Sequence, residues 1–162
     1  MKRRDFVFFC VAVPFIYGCE SKDVFLRGNS EQKPLEFRLG GVVDPVCRMD
    51  VEYKEYSAQL ALKSGKTYIF DDPGCLILFM HELDSDILEG AKSFVYTNDT
   101  RKYIDATKAY YSRTDPTPMH YGFGAYEKSF EDAIDFEEAS TLMLRGETLN
   151  NPTVARKLLS ED

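Results

Sequence analysis

The sequence predicts an α+β fold made of two ββαβ units in tandem, and three observations carry that expectation. Strand-like runs come in pairs in each half of the chain, a helix signal with a good capping residue follows each pair, and a short apolar stretch of strand formers closes each half. The order of elements repeats although the two halves do not visibly match residue for residue. A core is feasible: 44% of the 162 residues are hydrophobic, and 12 Phe with 10 Tyr offset the ordering cost of a chain that is 29% charged.

The elements follow in order. Residues 1–18 read as a secretory signal peptide: Met1-Lys2-Arg3-Arg4 is basic, and the apolar run Phe6 to Tyr17 is too short to span a bilayer, which takes about 20 residues. Ile16-Tyr17-Gly18-Cys19 resembles a bacterial lipobox with a bulky residue at Tyr17, which makes Cys19 the lipidation site. The alternative is cleavage elsewhere, with Cys19 an ordinary residue. Arg3-Arg4-Asp5-Phe6 also resembles a twin-arginine export core. Residues 19–40 are polar and turn-rich and read as a flexible tether. Removing Lys2, Arg3, Arg4 and Asp5 with the leader takes the net charge from −7 to −9, so attachment to an anionic membrane would depend on the lipid.

Residues 41–98 hold the first unit. Tyr56, Ala58, Leu60 and Leu62 alternate with Ser57, Gln59, Ala61 and Lys63; Ser64-Gly65 turns the chain, and Lys66 to Phe70 returns as a second strand. Asp72-Pro73 supplies an N-cap and a first-turn proline for a buried helix through Leu76 to His81, and Ser93 to Tyr96 reads as the closing strand. Residues 99–150 hold the second unit. Tyr103 to Tyr111 and Tyr121 to Tyr126 are strands, Ser129-Phe130-Glu131-Asp132 is a capping box opening a helix, and Thr141 to Leu144 is a strand. Residues 151–162 form a C-terminal tail.

Candidate ligands are few and soft. Cys47 and Met49 stand two apart in Asp44 to Asp50, a turn-like entry to the first hairpin; in an extended segment that spacing points both to one side. Cys75 falls in the first turn of the first helix, where the dipole favours a thiolate. Met119 and His120 lie in a proline-stiffened loop, Thr114 to His120. Thiolate and thioether together select Cu(I), and an exported protein meets copper. The plainer readings are a Cys47–Cys75 disulfide, a gap-filling Met49, a core or rim histidine at position 81 and a solvated acidic face from Glu127 to Glu138.

These residues carry a family likeness. Val46-Cys47-Arg48-Met49, Ser64 to Cys75, Tyr103-Ile104-Asp105-Ala106, and Thr117-Pro118-Met119 with Ala125-Tyr126 resemble the NosL family of lipid-anchored copper chaperones for nitrous oxide reductase maturation. The likeness covers roughly residues 44 to 145, and the first half also resembles the small YHS metal-binding module. It implies one Cu(I) per chain, hand-over to a membrane-associated maturation complex and then to the apo reductase, and a place on the periplasm-facing membrane of a bacterial envelope. Carried over by position, Met119 is the leading ligand, with Cys47, Met49 and Cys75 matching motif positions. The chain departs from the pattern at Asp44 and Arg48, where many relatives carry cysteine and glycine, and at Asp71, where the YHS pattern expects cysteine. A full thiolate cage is therefore absent, and an exchangeable site rich in thioether is what remains.

Other classes are disfavoured. An acidic chain offers no nucleic-acid footprint, and four Cys with two His are too scattered for zinc-finger spacing. An enzyme is not expected: the sequence has no Cys-x-x-Cys, no Ser-His-Asp pattern and no glycine-rich phosphate loop. The competing class is an anchored interaction module without metal, held by Cys47–Cys75.

Overall fold

The computed structural model describes residues 22–160, so the expected signal peptide and Cys19 lie outside the described residues. Helices and antiparallel sheets mix in an α+β arrangement. The hairpin forms as its alternation requires: β1 (Ala58–Ala61) pairs with β2 (Thr67–Phe70) from Ala58↔Phe70 to Ala61↔Thr67. Gly65 takes φ +78° in the connecting turn, a conformation that costs a residue without Cβ little. On its other edge β1 pairs with β3 (Lys92–Tyr96), which pairs with β4 (Tyr103–Asp105), giving the antiparallel order β2-β1-β3-β4.

Between β2 and β3 runs α1 (Pro73–Glu82), followed by the short α2 (Ser85–Leu88). Asp72 caps α1 by accepting from the Gly74 amide at 2.8 Å, and Pro73 to Ile77 are buried, as an apolar helix against a sheet must be. Ala58, Leu60, Phe70, Leu76 and Val95 build the main core between them.

The opposite face of the sheet is covered by the segment expected to be a flexible tether. Residues 22–40 are laid along it. Leu26 exchanges backbone bonds with Thr67, the buried Asn29 donates to Thr67 Oγ1 at 2.9 Å, and the buried Gln59 amide exchanges two 2.8 Å bonds with the Leu35 backbone. A small second core of Val42, Val51 and Ile69 receives Leu26 and Phe37. Polar composition misled the expectation, because Asn29 bonds to the Thr67 side chain of β2 and Gln32 donates to the Ala61 carbonyl of β1. Both faces of β1 are consequently buried.

The second half departs further from expectation. After β4 come a 3₁₀ turn at Ala106–Lys108, β5 (Tyr110–Tyr111) and, beyond an irregular loop, β6 (Ala125–Tyr126), paired with β5. The capping box at Ser129 opens no helix: Ile134 exchanges backbone bonds with Tyr111 at 2.8 and 3.0 Å, and Asp132 sits at φ +61°. The helix starts later, as α3 (Phe136–Leu144), capped by Asp135 onto the Glu138 amide. Thr141 to Leu144, expected as a strand, is therefore helical, because Ala139, Leu142 and Met143 face α1 at helical spacing. Within the expected tail lies α4 (Pro152–Leu159). Among the described residues no helix is long and apolar enough to cross a membrane.

Candidate metal centre

The centre is assembled where three loops meet at the N-terminus of α1. The first runs from Asp44 to Asp50. Asp44 is fully buried and its Oδ1 accepts from the amides of Val46 (2.7 Å) and Cys47 (3.2 Å), while its own amide bonds to Met49 O at 2.9 Å. Asp44 Oδ2 accepts from the Asp71 amide at 3.0 Å and so fastens this loop to the end of β2. The segment is the turn-like entry expected, with Arg48 at φ +67° between the two sulfur residues, so the same-side rule of an extended segment does not apply. Cys47 and Met49 still meet, through the Met49 amide on Cys47 Sγ at 3.5 Å, but the Met49 side chain is 41% exposed.

Cys75 lies in the first turn of α1 and is completely buried. Its Sγ, Cys47 Sγ and a carboxylate oxygen from each of Asp44 and Asp71 all lie within 4.8 Å of one another. Both cysteines are free thiols, and the Cys47 thiol donates to Asp71 Oδ1 at 3.5 Å. The helix dipole does not govern here. Burial pushes the Cys75 thiol far up, and the charges of Asp44, Asp72 and Asp71 push it further. Burial likewise takes Cys47 to about 12 against the opposing Met49 amide bond, with Asp44 and Asp71 adding to the rise. The Asp71 carboxyl is raised by burial, then by its hydrogen bond and charge interaction with Asp44. A site of this kind holds protons until a cation takes their place.

The third loop carries Met119. Asp72 does two jobs: Oδ1 caps α1 at Gly74, and Oδ2 accepts from the Met119 amide at 3.0 Å. The Thr117 side chain bonds to the same carboxylate and accepts from the amides of Tyr121 (3.1 Å) and Gly122 (3.2 Å). Burial lifts Asp72 to about 6 in spite of these bonds. Met119 is half-buried against the core cluster that contains Cys75. His120 follows it at φ +55°, exposed, and is not part of the Asp44–Cys47–Asp71–Cys75 group. His81 is exposed in the last turn of α1.

An open cavity of about 830 Å³ borders the group, lined by Met49, Tyr53, Tyr56, Asp71, Pro116 and Pro118. Gly74 permits the close approach behind it, since a Cβ there would come within 2.3 Å of the Tyr121 ring.

Sequence reasoning singled out both cysteines and Met119 but treated Asp44 and Asp71 only as gaps in a motif. They fall inside the donor group, at the two positions where the resemblance expects cysteine. No family model matches the chain, and neither the curated proteins nor the solved structures compared with it give a match.

Proposed function

We propose that this chain is a Cu(I)-binding metallochaperone, with Cys47 and Cys75 as a thiolate pair and Met119 as the thioether that completes a soft site. The observation that carries the reading is the meeting of two free thiols, 28 residues apart in sequence, beside a methionine loop pinned to the cap of the Cys75 helix. Thiolate with thioether selects Cu(I) over harder ions. Met49 lies in the open cavity beside this pair and is placed to meet the ion on its way in or out; His120 would have to turn inward to join it.

The raised thiols make the site a releasing one. Loading a Cu(I) expels thiol protons that burial and neighbouring carboxylates favour, and each pKa unit of that preference takes about 1.4 kcal/mol from the net affinity. An acceptor with preformed ligands then draws the ion away. On this reading residues 1–18 are a signal peptide and Cys19 carries the lipid. The protein faces the periplasm from a bacterial membrane and hands copper to a membrane-associated maturation complex, with nitrous oxide reductase or a related exported copper enzyme as the destination. Cys75 belongs to α1 within the β1–β2–α1–α2–β3 run, and Cys47 to the turn that precedes β1.

The test is a titration with a competing Cu(I) chelator. The full chain in detergent carries C10S and C19S, so that Cys47 and Cys75 are its only thiols. One equivalent of Cu(I) is expected to bind, and Met119→Leu, which nearly conserves volume, to weaken binding at least about tenfold with the fold intact. Unchanged affinity in that variant removes Met119 from the site. The closeness of the two sulfurs also favours a second reading, a disulfide-stabilised anchored module without metal. Thiol counting separates them: two thiols that Cu(I) protects support the chaperone, and none supports the disulfide.

A further inference from the structure

We infer that the Asp44–Cys47–Asp71–Cys75 group is a four-donor site for a borderline divalent cation of the zinc class, sharing its thiols with Cu(I), so that the two ions exclude one another. The inference rests on the same thiol pair as the copper reading, but on different partners. A Cu(I) site needs sulfur and gains little from carboxylate, whereas two thiolates with two carboxylate oxygens suit a tetrahedral divalent ion.

The geometry is close to what such an ion requires. Zinc takes sulfur at about 2.3 Å and carboxylate oxygen at about 2.0–2.2 Å, which puts tetrahedral donors roughly 3.3–3.8 Å apart. The four donor atoms already lie within 4.8 Å of one another, so small rotations of the side chains close the cage. The ligands come from three rigid supports: the Asp44 turn, the end of β2 and the first turn of α1. Asp44 Oδ1 is engaged by two amides and Oδ2 by one, which fixes the carboxylate, and a metal would take the place of its side-chain hydrogen bond with Asp71. Asp71 Oδ1 now accepts the Cys47 thiol proton at 3.5 Å; a metal would replace this contact too, as the two thiol protons and any proton held between the carboxyls pass to solvent. A divalent ion also offsets twice as much of the buried negative charge as Cu(I) does. Met119 has no part in this cage, so each ion has a ligand that the other does not use.

The test uses the same C10S/C19S chain with Co(II) as a spectroscopic probe. One equivalent of Co(II) is expected to give a thiolate-to-metal charge-transfer band with intense tetrahedral d–d bands. One equivalent of Zn(II), or of Cu(I), should bleach them. Asp71→Asn should lower Zn(II) affinity at least about tenfold while moving Cu(I) affinity by less than about threefold, and Met119→Leu should do the reverse. Far-UV dichroism checks each fold, and Cys47→Ser gives an independent readout because it must lose charge-transfer intensity. A Co(II) spectrum without thiolate bands, an unaltered band in Cys47→Ser, or unchanged Zn(II) affinity in a folded Asp71→Asn overturns the inference. Co(II) binding without Cu(I) binding would leave the four-donor divalent site standing, remove its competition with Cu(I) and overturn the chaperone.

Discussion

The Cys47 loop and the Met119 loop make the same local shape by different means. Each presents a sulfur beside a residue at positive φ, Arg48 in one and His120 in the other. Each is held by a buried aspartate near the N-terminus of α1. The Cys47 loop carries its own clamp, because Asp44 bonds amides two and three residues ahead of it. The Met119 loop is clamped from outside by Asp72, the cap of a helix that belongs to the other half of the chain. A locally clamped loop keeps its shape while its surroundings move. An externally clamped loop keeps its place only while the Asp72 carboxylate is intact, so the position of Met119, the proposed thioether ligand, depends on a bond from outside its own loop.

The largest expected effect comes from breaking the local clamp. Asp44→Ala leaves three amides, those of Val46, Cys47 and Asp71, without an acceptor, the first two part-buried and the last buried. At roughly 1–3 kcal/mol for the buried group and less for each part-buried one, the loss should be about 3–4 kcal/mol. Urea unfolding measures it, and a loss under about 1 kcal/mol would show that water replaces the clamp.

Next is the external clamp. Asp72→Ala removes a helix cap and the acceptor for Met119, and should cost about 2–4 kcal/mol. Its sharper signature is in binding: Cu(I) affinity should fall as far as in Met119→Leu, while Co(II) binding to the Asp44–Cys47–Asp71–Cys75 group persists. If Cu(I) affinity is unchanged in a folded Asp72→Ala, the comparison between the loops fails.

How far each clamp was legible follows from the same distinction. Asp72-Pro73 announced the cap because capping is local, and the 58–70 hairpin was readable because alternation and Gly65 act over a few residues. Asp72 as the holder of Met119 was not readable, since the contact joins residues 47 positions apart. Asp44 and Asp71 were visible as departures from a motif, but nothing local says that two carboxylates will share a pocket with two thiols. The misplaced second helix has a comparable cause. The capping box at Ser129 is a genuine local signal, and the non-local pairing of Ile134 with Tyr111 overrides it.

The response to pH tests the thiols and the external clamp separately. Both thiols are raised and so are protonated near neutrality; binding releases those protons, and affinity must rise with pH. A competition titration from pH 6 to 8 should show Cu(I) affinity rising by roughly tenfold per pH unit for each thiol proton displaced. The stability of the metal-free chain has the opposite sign. The folded Asp72 carboxyl sits at about 6, above its unfolded value of 3.8, so the unfolded state binds fewer protons between those limits. Its contribution to stability is therefore lost as pH rises through that window, and Asp71, raised in the same direction, adds to the loss. The difference in urea midpoint between wild type and Asp72→Asn should accordingly shift in favour of the variant on going from pH 4.5 to 7.5. A constant difference would mean that Asp72 does not titrate there.

The smallest effect concerns the two left-handed residues that give the loops their common shape. An L-residue with a side chain stands at positive φ at a cost of about 1–2 kcal/mol, which glycine avoids although it adds chain entropy when unfolded. Arg48→Gly and His120→Gly should thus each be neutral to stabilising by up to about 1 kcal/mol. The two should part in binding only if the imidazole takes part. The exposed His120 lies outside the Asp44–Cys47–Asp71–Cys75 group, so His120→Gly is expected to keep Cu(I) affinity within about threefold, as Arg48→Gly does. A larger loss confined to His120→Gly, absent from the shape-matched Arg48→Gly, would make the imidazole a ligand that swings inward as copper binds, and the Met119 loop a mobile arm.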